Sequence, residues 1–156
     1  MSEFTHLDAS GAARMVDVSG KEPSVRVAVA RGRVLVSAEV VRLLRDGALP
    51  KGDALAVARI AGIMGAKRTP DLVPLCHPTA LHGVTVDLVV ADDAVQIEAQ
   101  VRTADRTGVE MEALTSVAVA GLAVIDMVKA VDPAAVLTDV LVVSKTGGKA
   151  GDWERP

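Results

Sequence analysis

The sequence is poor in aromatic residues and in cysteine. Its aromatic side chains are Phe4 and Trp153, both near the ends of the chain, and it contains no tyrosine. The core must therefore be built from aliphatic residues and methionine, and no obvious platform exists on which a heterocyclic base could stack. A bound heterocycle would have to be recognised mostly through its edges. The single cysteine, Cys76, excludes an internal disulfide.

The sequence also lacks a metal-binding pattern and an excess of charge of one sign. Its three histidines, His6, His77 and His82, do not have the spacing of a zinc site, and we predict no metal. The net charge is −3 with acidic and basic residues interspersed, which argues against nucleic acid and anionic membranes as partners. The first twelve residues do not resemble a secretory signal, and no uncharged apolar stretch reaches the ~20 residues of a membrane span. We therefore expect a cytoplasmic protein.

What the sequence does have is a regular alternation of apolar and polar residues. Its 156 residues, half of them hydrophobic, suit one folded domain over 1–156, with flexible segments at about 1–20 and 145–156. Periodicity and end signals predict, in chain order, a strand at 25–36, helices at 37–47 and 54–68, strands at 83–91 and 94–102, a helix at 108–130 and a strand at 139–145. This order indicates a ferredoxin-like α+β sandwich. Such a fold has an antiparallel four-stranded sheet with helices packed on one face, here with one added helix.

Two helix starts and one packing surface can be assigned to particular residues. Ser37 and Asp53 are suited to cap the two helices that follow them, because their side-chain oxygens can accept hydrogen bonds from free N–H groups. Ala58, Gly62 and Ala66 are spaced four apart and share a face. We expect another backbone to approach that face closely.

The long helix at 108–130 has few polar residues. Thr107 and Glu110 match a capping box, which gives Glu110 a structural role. Between Glu112 and Asp126 there is no ionisable residue. This indicates burial on every side, by the sheet and by another subunit, and so predicts an oligomer.

Asp126 and Lys129 end this apolar run, three residues apart on one face. The helix dipole disfavours a carboxylate at this end and favours an ammonium, so the two residues must be explained as a pair. An ordinary surface ion pair is one explanation. The other is a half-buried pair whose protonation is shifted by desolvation, as in sites of proton transfer.

Glu112 lies about 21 Å from Asp126 along a straight helix. One small reacting centre cannot contact both residues. If both belong to a site, either the ligand is long, like a nucleotide with its phosphates, or a neighbouring chain completes each pocket.

Several cationic residues favour a phosphate ligand. Lys51 precedes a helix N-terminus, where anions bind, and Lys67 closes the same helix, although each could be a solvated cation. The segment 144–153 carries Lys145 and Lys149 but lacks the spacing of a phosphate-binding loop. We interpret it as a mobile tail that either closes over a charged ligand or is disordered.

Cys76 and His77 stand between prolines in the segment 74–78. Adjacent residues of an extended segment point to opposite sides, which argues against a cysteine–histidine nucleophile pair.

Four blocks of the sequence resemble the molybdenum cofactor biosynthesis protein C family, the cyclic pyranopterin monophosphate synthases. The resemblance runs nearly end to end and in register. The family often has Tyr where this chain has Ile125, and Ser where it has Ala150. The blocks are ARMVDVSGK at 13–21, the stretch 51–78, the stretch 107–131, and KTGGKAG at 145–151.

The resemblance implies a lyase that needs no redox cofactor. Its substrate would be 3',8-cyclo-7,8-dihydro-GTP, which it would convert to cyclic pyranopterin monophosphate and pyrophosphate. It also implies a homohexamer, a trimer of dimers with active sites at the dimer interface. The implied acid/base residues are Asp126 and Lys129, assisted by Lys51. The implied substrate contacts are Leu75, Cys76, His77, Met111 and Glu112, with Arg26, Lys67 and Lys149 as phosphate or orienting contacts.

A regulatory module that binds a small molecule is the alternative, because ferredoxin-like folds host unrelated functions. Such a sensor would use Glu112 and the lysines but would have no use for the pair of Asp126 and Lys129.

Overall fold

The computed structural model describes residues 6–156. Phe4 and the rest of the first five residues, part of the N-terminal segment expected to be flexible, lie outside this range. The elements are β1 (Ser24–Leu35), α1 (Ala38–Arg45), α2 (Ala54–Lys67), α3 (Thr69–Leu72), β2 (Leu81–Val90), β3 (Ala94–Asp105), α4 (Glu110–Val128), β4 (Val136–Thr146) and β5 (Trp153–Glu154).

The strands form one open sheet in the order β2-β3-β1-β4-β5, with every neighbouring pair antiparallel. The first four strands have the order of a ferredoxin-like sandwich, and the predicted fold class is confirmed. The expected strand number is wrong, because the last residues of the chain add β5 to the edge of β4. The structure also has α3 in addition to the one extra helix that was expected.

The helices cover one face of the sheet, and the other face is open in the single chain. Along β1, Ala28, Ala30 and Val34 are buried toward the helices. Gly32 lies in the same row, and a Cβ at this position would be 2.6 Å from a methyl carbon of Val117. The open face instead carries ion pairs, such as that between Arg33 and Asp139 at 2.8 Å.

Small residues let α2 and α4 pack closely. A Cβ on Gly62 would lie 3.1 Å from the carbonyl oxygen of Ser116, and one on Gly65 would lie 2.8 Å from Cβ of Val119. The predicted close approach at Gly62 is confirmed. The contact sets the two helices antiparallel, so the start of α2 lies beside the end of α4.

The predicted helix caps were right for two helices and wrong for the third. Ser37 Oγ accepts from the N–H of Val40 at 3.4 Å, and Asp53 Oδ1 accepts from the N–H of Ala56 at 3.0 Å. The expected capping box at the start of α4 is absent. This helix begins at Glu110 with no side-chain cap, and Glu110 instead forms an ion pair with Lys145 at 3.1 Å.

The single chain buries α4 on one side only. Ala113, Val117, Ala120 and Val124 are buried, but Leu122 is 60% exposed. The sheet and α2 thus cover one side of α4, and burial of the other side by another subunit stays a prediction. By length and composition α4 could cross a membrane. Its contacts with the sheet and with α2 are those of a core helix in a folded domain.

The C-terminal segment folds back on the sheet. Lys145 belongs to β4 and pairs with Trp153 of β5. The loop between them contains Gly147 and Gly148, both with φ near +80°, a conformation that suits glycine. The segment 144–153, interpreted as a tail, thus comprises the end of β4, this loop and the start of β5.

Candidate functional site

Asp126 lies between two lysines. Its Oδ1 is 2.7 Å from Nζ of Lys129, and its Oδ2 is 3.4 Å from Nζ of Lys51. Lys51 also donates to the backbone carbonyl of Asp126 at 2.8 Å. The antiparallel packing of α2 against α4 brings Lys51 here from 75 residues away. The structure thus assembles all three residues that the resemblance implied for acid/base chemistry.

This cluster is more exposed in the single chain than we expected. The Asp126 and Lys129 side chains remain 58% and 57% exposed. Hydrogen bonds from Lys129, and then from Lys51, lower the pKa of the Asp126 carboxyl and outweigh the small effect of burial. In the single chain the pKa of Asp126 is thus set by its two lysine partners and not by desolvation. Asp126 is held ionised, which is the form that can accept a proton, but its lowered pKa makes it a weak base in the single chain. The ammonium groups can donate a proton.

A separate cavity of about 450 Å³ lies at the opposite end of α4. Because α3 and the proline-flanked segment 74–78 follow α2 directly, they bring their side chains to the N-terminal end of α4. Every residue that the resemblance implied as a substrate contact lines this cavity. These residues are Leu75, Cys76, His77, Met111 and Glu112.

Glu112 is the buried acid of this cavity. The residue is 3% exposed, and burial raises the pKa of its carboxyl, with a smaller contribution from the charge of Glu110. Burial, followed by the charge of Glu112, also raises the pKa of the Cys76 thiol. Cys76 is thus disfavoured as a thiolate nucleophile. Among residues 6–156 Glu112 forms no salt bridge, and a buried carboxylate of this kind suits a ligand that donates N–H groups.

His77 helps to hold the wall of the cavity. Its Nε2 is 2.5 Å from the carbonyl oxygen of Val16. A carbonyl can only accept, so Nε2 carries the hydrogen. Val16 and Val18 line the cavity together with Lys21, which makes the segment 16–21 one of its sides. This part of the N-terminal segment, expected to be flexible, is therefore part of the site.

A second cavity, of about 430 Å³, gathers positive charge. Arg26, Lys149 and Lys21 line it, with Glu22 as the acid among the lining residues. Arg26 is oriented by its Nε, which donates to the carbonyl of Asp105 at 3.1 Å. Gly148 lies against the Arg26 guanidinium, where a side chain on the loop would collide with it. The predicted phosphate contacts Arg26 and Lys149 are thus brought together.

Lys67 is not part of either cavity. It is the last residue of α2 and is exposed. Because Gly65 packs against Val119, Lys67 lies toward the N-terminal half of α4, away from the Asp126 cluster.

The two groups of functional residues do not meet within one chain. Glu112 is in the first turn of α4 and Asp126 is in the last, which separates them by about 21 Å along the helix. Within residues 6–156 no group of three or more histidine, cysteine, aspartate or glutamate residues could hold a metal ion.

The sequence reading missed the position of three residues. Lys21 lines both cavities, and Glu110 and Lys145 form a half-buried ion pair beside the first cavity. Lys21 could have been noticed because it ends the block 13–21 that carries the resemblance. Glu110 matches a capping box in the sequence, and no neighbouring residue indicates that it pairs with a strand 35 residues later.

Comparison with known proteins finds a matching family and several similar proteins. A model of the MoaC family matches residues 15–148, which include the Asp126 cluster and Glu112. The chain is 72% identical over 152 residues to a cyclic pyranopterin monophosphate synthase of Streptomyces avermitilis, covering 97% of this chain and 89% of that protein. It is 67% identical over 156 residues to the synthase of a Nocardioides species, covering 98% and 96%. It is 57% identical over 153 residues to cyclic pyranopterin monophosphate synthase 2 of Mycobacterium tuberculosis, covering 98% and 92%.

Proposed function

Because the chain belongs to the MoaC family, we propose that it is a lyase of molybdenum cofactor biosynthesis, a cyclic pyranopterin monophosphate synthase. It converts 3',8-cyclo-7,8-dihydro-GTP to cyclic pyranopterin monophosphate and pyrophosphate. One observation supports this most strongly. The residues implied for catalysis form one hydrogen-bonded cluster, and those implied for ring binding line one cavity. A regulatory module would not need the cluster.

The chemistry follows from the groups in place. A 2-amino-4-oxo pyrimidine edge presents adjacent N–H donors, and the Glu112 carboxylate can accept both, which reads the ring without an aromatic platform. Met111 supplies an apolar contact. Opening and closing the ring and forming the cyclic phosphate require proton transfers, which Asp126, Lys51 and Lys129 provide. Arg26 and Lys149 compensate the charge of the phosphates.

We place each active site between two subunits. One chain holds Glu112 and Asp126 at opposite ends of α4. A partner chain must therefore bring its own Asp126 cluster to the cavity lined by Glu112, which we call the ring cavity. A two-fold axis that passes near the middle of α4 makes the α4 helices of the two subunits antiparallel. Each cluster then lies beside the partner's Glu112 cavity, which gives two sites per dimer. Leu122 shares the outward face of α4 with Asp126, so a partner that covers Leu122 also removes water from the cluster. This would restore the poorly hydrated setting that the single chain lacks.

The larger assembly and the compartment remain proposals. We expect three such dimers to form a homohexamer. We expect the enzyme to work in the cytoplasm, where its nucleotide precursor is available.

The test of the function is a product assay. Purified protein incubated with the cyclised dihydro-GTP is expected to release one pyrophosphate for each cyclic pyranopterin monophosphate formed. Pyrophosphate is measured by enzymatic coupling and the pterin by its oxidised fluorescent form. If the protein binds the nucleotide without releasing pyrophosphate, the regulatory module is the better explanation.

Mixed oligomers test whether the site is shared. Asp126→Asn and Glu112→Gln subunits are each expected to be inactive. When they are dissociated together and reassembled at random, about one quarter of the sites regain both native residues, so about a quarter of wild-type activity returns. Mixing Asp126→Asn with Lys129→Ala is the control, because both changes fall in the same half of the site and no activity should return. Recovery in the control, or none in the test mixture, contradicts a shared site.

A further inference from the structure

Lys21 stands between the two cavities. In the part of the chain that the structure describes, it alone lines both the ring cavity with Glu112 and the cationic cavity with Arg26 and Lys149. A ligand that reaches from Glu112 to Lys149 within one chain therefore passes Lys21.

The backbone of Lys21 is held in place by two hydrogen bonds. Its N–H donates to the carbonyl of Val18 at 3.0 Å, and its carbonyl accepts from Nε of Arg106 at 2.8 Å. The segment is anchored further upstream by the hydrogen bond from His77 to Val16. Lys21 is thus presented from an ordered wall rather than from a loose N-terminal arm.

The charges of the two cavities fix the direction of the ligand. The ring cavity has the carboxylates of Glu112 and of Glu110, which is paired with Lys145, and it shares Lys21 with the other cavity. The part around Glu112 therefore suits N–H donors rather than phosphate. The other cavity has three cationic side chains and one acid, which suits the terminal phosphates of a triphosphate. The group between the ring and the terminal phosphates is the sugar with its α-phosphate.

We infer that Lys21 binds the α-phosphate of the substrate and stabilises the charge that develops there when the cyclic phosphate forms. This inference rests on the proposed function and assigns one residue to one step of it. In that step a substrate hydroxyl oxygen bonds to the α-phosphorus, and its proton passes to a protein base. The bond from the α-phosphorus to the bridging oxygen breaks, and pyrophosphate leaves with that electron pair. An ammonium at the α-phosphate favours this step more than it favours ground-state binding.

Kinetics of Lys21→Met test the assignment. We expect kcat for pyrophosphate release to fall by on the order of 10²-fold while KM changes by less than about 5-fold, because the interaction strengthens in the transition state. Lys21→Arg, which keeps the charge, is expected to recover at least about a tenth of the wild-type kcat. The matched control is Arg14→Met. It removes one positive charge from the same segment at an exposed residue that lines neither cavity, and it should behave as wild type.

Product inhibition separates the α-phosphate from the terminal phosphates. Pyrophosphate should inhibit wild type and Lys21→Met with similar inhibition constants, whereas Lys149→Met should raise the constant about 10-fold or more. If Lys21→Met raises it as much as Lys149→Met does, Lys21 belongs to the terminal phosphate site and the assignment is overturned. A Lys21→Met protein with normal kcat overturns it as well. If wild type makes no pyrophosphate at all, it is the proposed function that fails.

Discussion

Asparagine in place of Asp126 is expected to lower kcat for pyrophosphate release by on the order of 10²–10⁴-fold, the usual contribution of a general acid or base. The substitution preserves the shape of the side chain but removes the charge that holds Lys129 at 2.7 Å and Lys51 at 3.4 Å. Two cationic groups then lack their common partner, and the proton acceptor is lost. Binding of the nucleotide should persist, because the ring and phosphate cavities are unchanged.

The fold should tolerate this substitution. Asp126 is exposed in the single chain, so the chain should still fold. Because the proposed partner covers this cluster, the oligomeric state of the variant is measured beside kcat. Asp139→Asn is the control. Asp139 is also an exposed aspartate paired with a cation, but it lies on the opposite face of the sheet, and its replacement should leave kcat unchanged. If Asp126→Asn turns over at the wild-type rate, Asp126 has no acid/base role.

Glutamine in place of Glu112 is expected to reduce kcat/KM by on the order of 10²–10³-fold and, at the same time, to raise Tm. The activity falls because a carboxylate accepts two N–H donors, whereas an amide presents its own N–H group to one of them. The folded state gains stability because burial raises the pKa of the Glu112 carboxyl, which means that the charged form destabilises the folded protein. An isosteric neutral side chain avoids that cost.

The pH dependence gives the sign of this effect. A carboxyl whose pKa is raised on folding takes up a proton more readily in the folded state than in the unfolded state. The resulting cost to stability is absent below the ordinary pKa of a glutamate, about 4.3. It grows as pH rises from there through the raised pKa. The Tm advantage of Glu112→Gln should therefore be full at pH 8 and absent at pH 4.

Activity should report the same titration. Wild-type kcat/KM is expected to fall as pH drops through the raised pKa of Glu112, which gives the pH profile an acid limb. The profile of Glu112→Gln should lack this acid limb. Asp126, whose pKa is lowered by its lysine partners, titrates at lower pH and does not set the limb.

Glu98→Gln is the control, because Glu98 is an exposed glutamate paired with Arg31 on the open sheet face. A Tm for Glu112→Gln that equals or falls below wild type at pH 8 contradicts the argument.

Much of the fold could be predicted because local signals agreed with tertiary structure. Alternation over 94–102 predicted a strand, and the structure has β3 there, with Gln96, Glu98 and Gln100 alternating with buried residues. Ser37 and Asp53 cap their helices as expected, because capping depends only on residues within one turn.

The features that were missed depend on contacts between distant segments. The strand β5 is two residues long and exists only because β4 offers an edge to pair with. The capping box failed because an ion pair with Lys145 competes for Glu110. The exposure of Asp126 could not be predicted from its apolar neighbours, since it depends on which side of α4 the sheet covers. Asp126 and Leu122, four residues apart, both lie on the uncovered side.

The C-terminal hairpin also determines how this molecule can be observed. Trp153 is the single tryptophan, and the chain has no tyrosine, so near-ultraviolet emission from the whole protein originates on β5. The Arg155 guanidinium lies 5.5 Å from the centre of the indole ring, and the loop that carries Lys149 ends just before it. We therefore expect the proposed phosphate binding at this loop to change the emission without any label. For the same reason, a thermal melt followed by tryptophan emission records detachment of the end of the chain. Melting of the aliphatic core must be followed by circular dichroism or calorimetry.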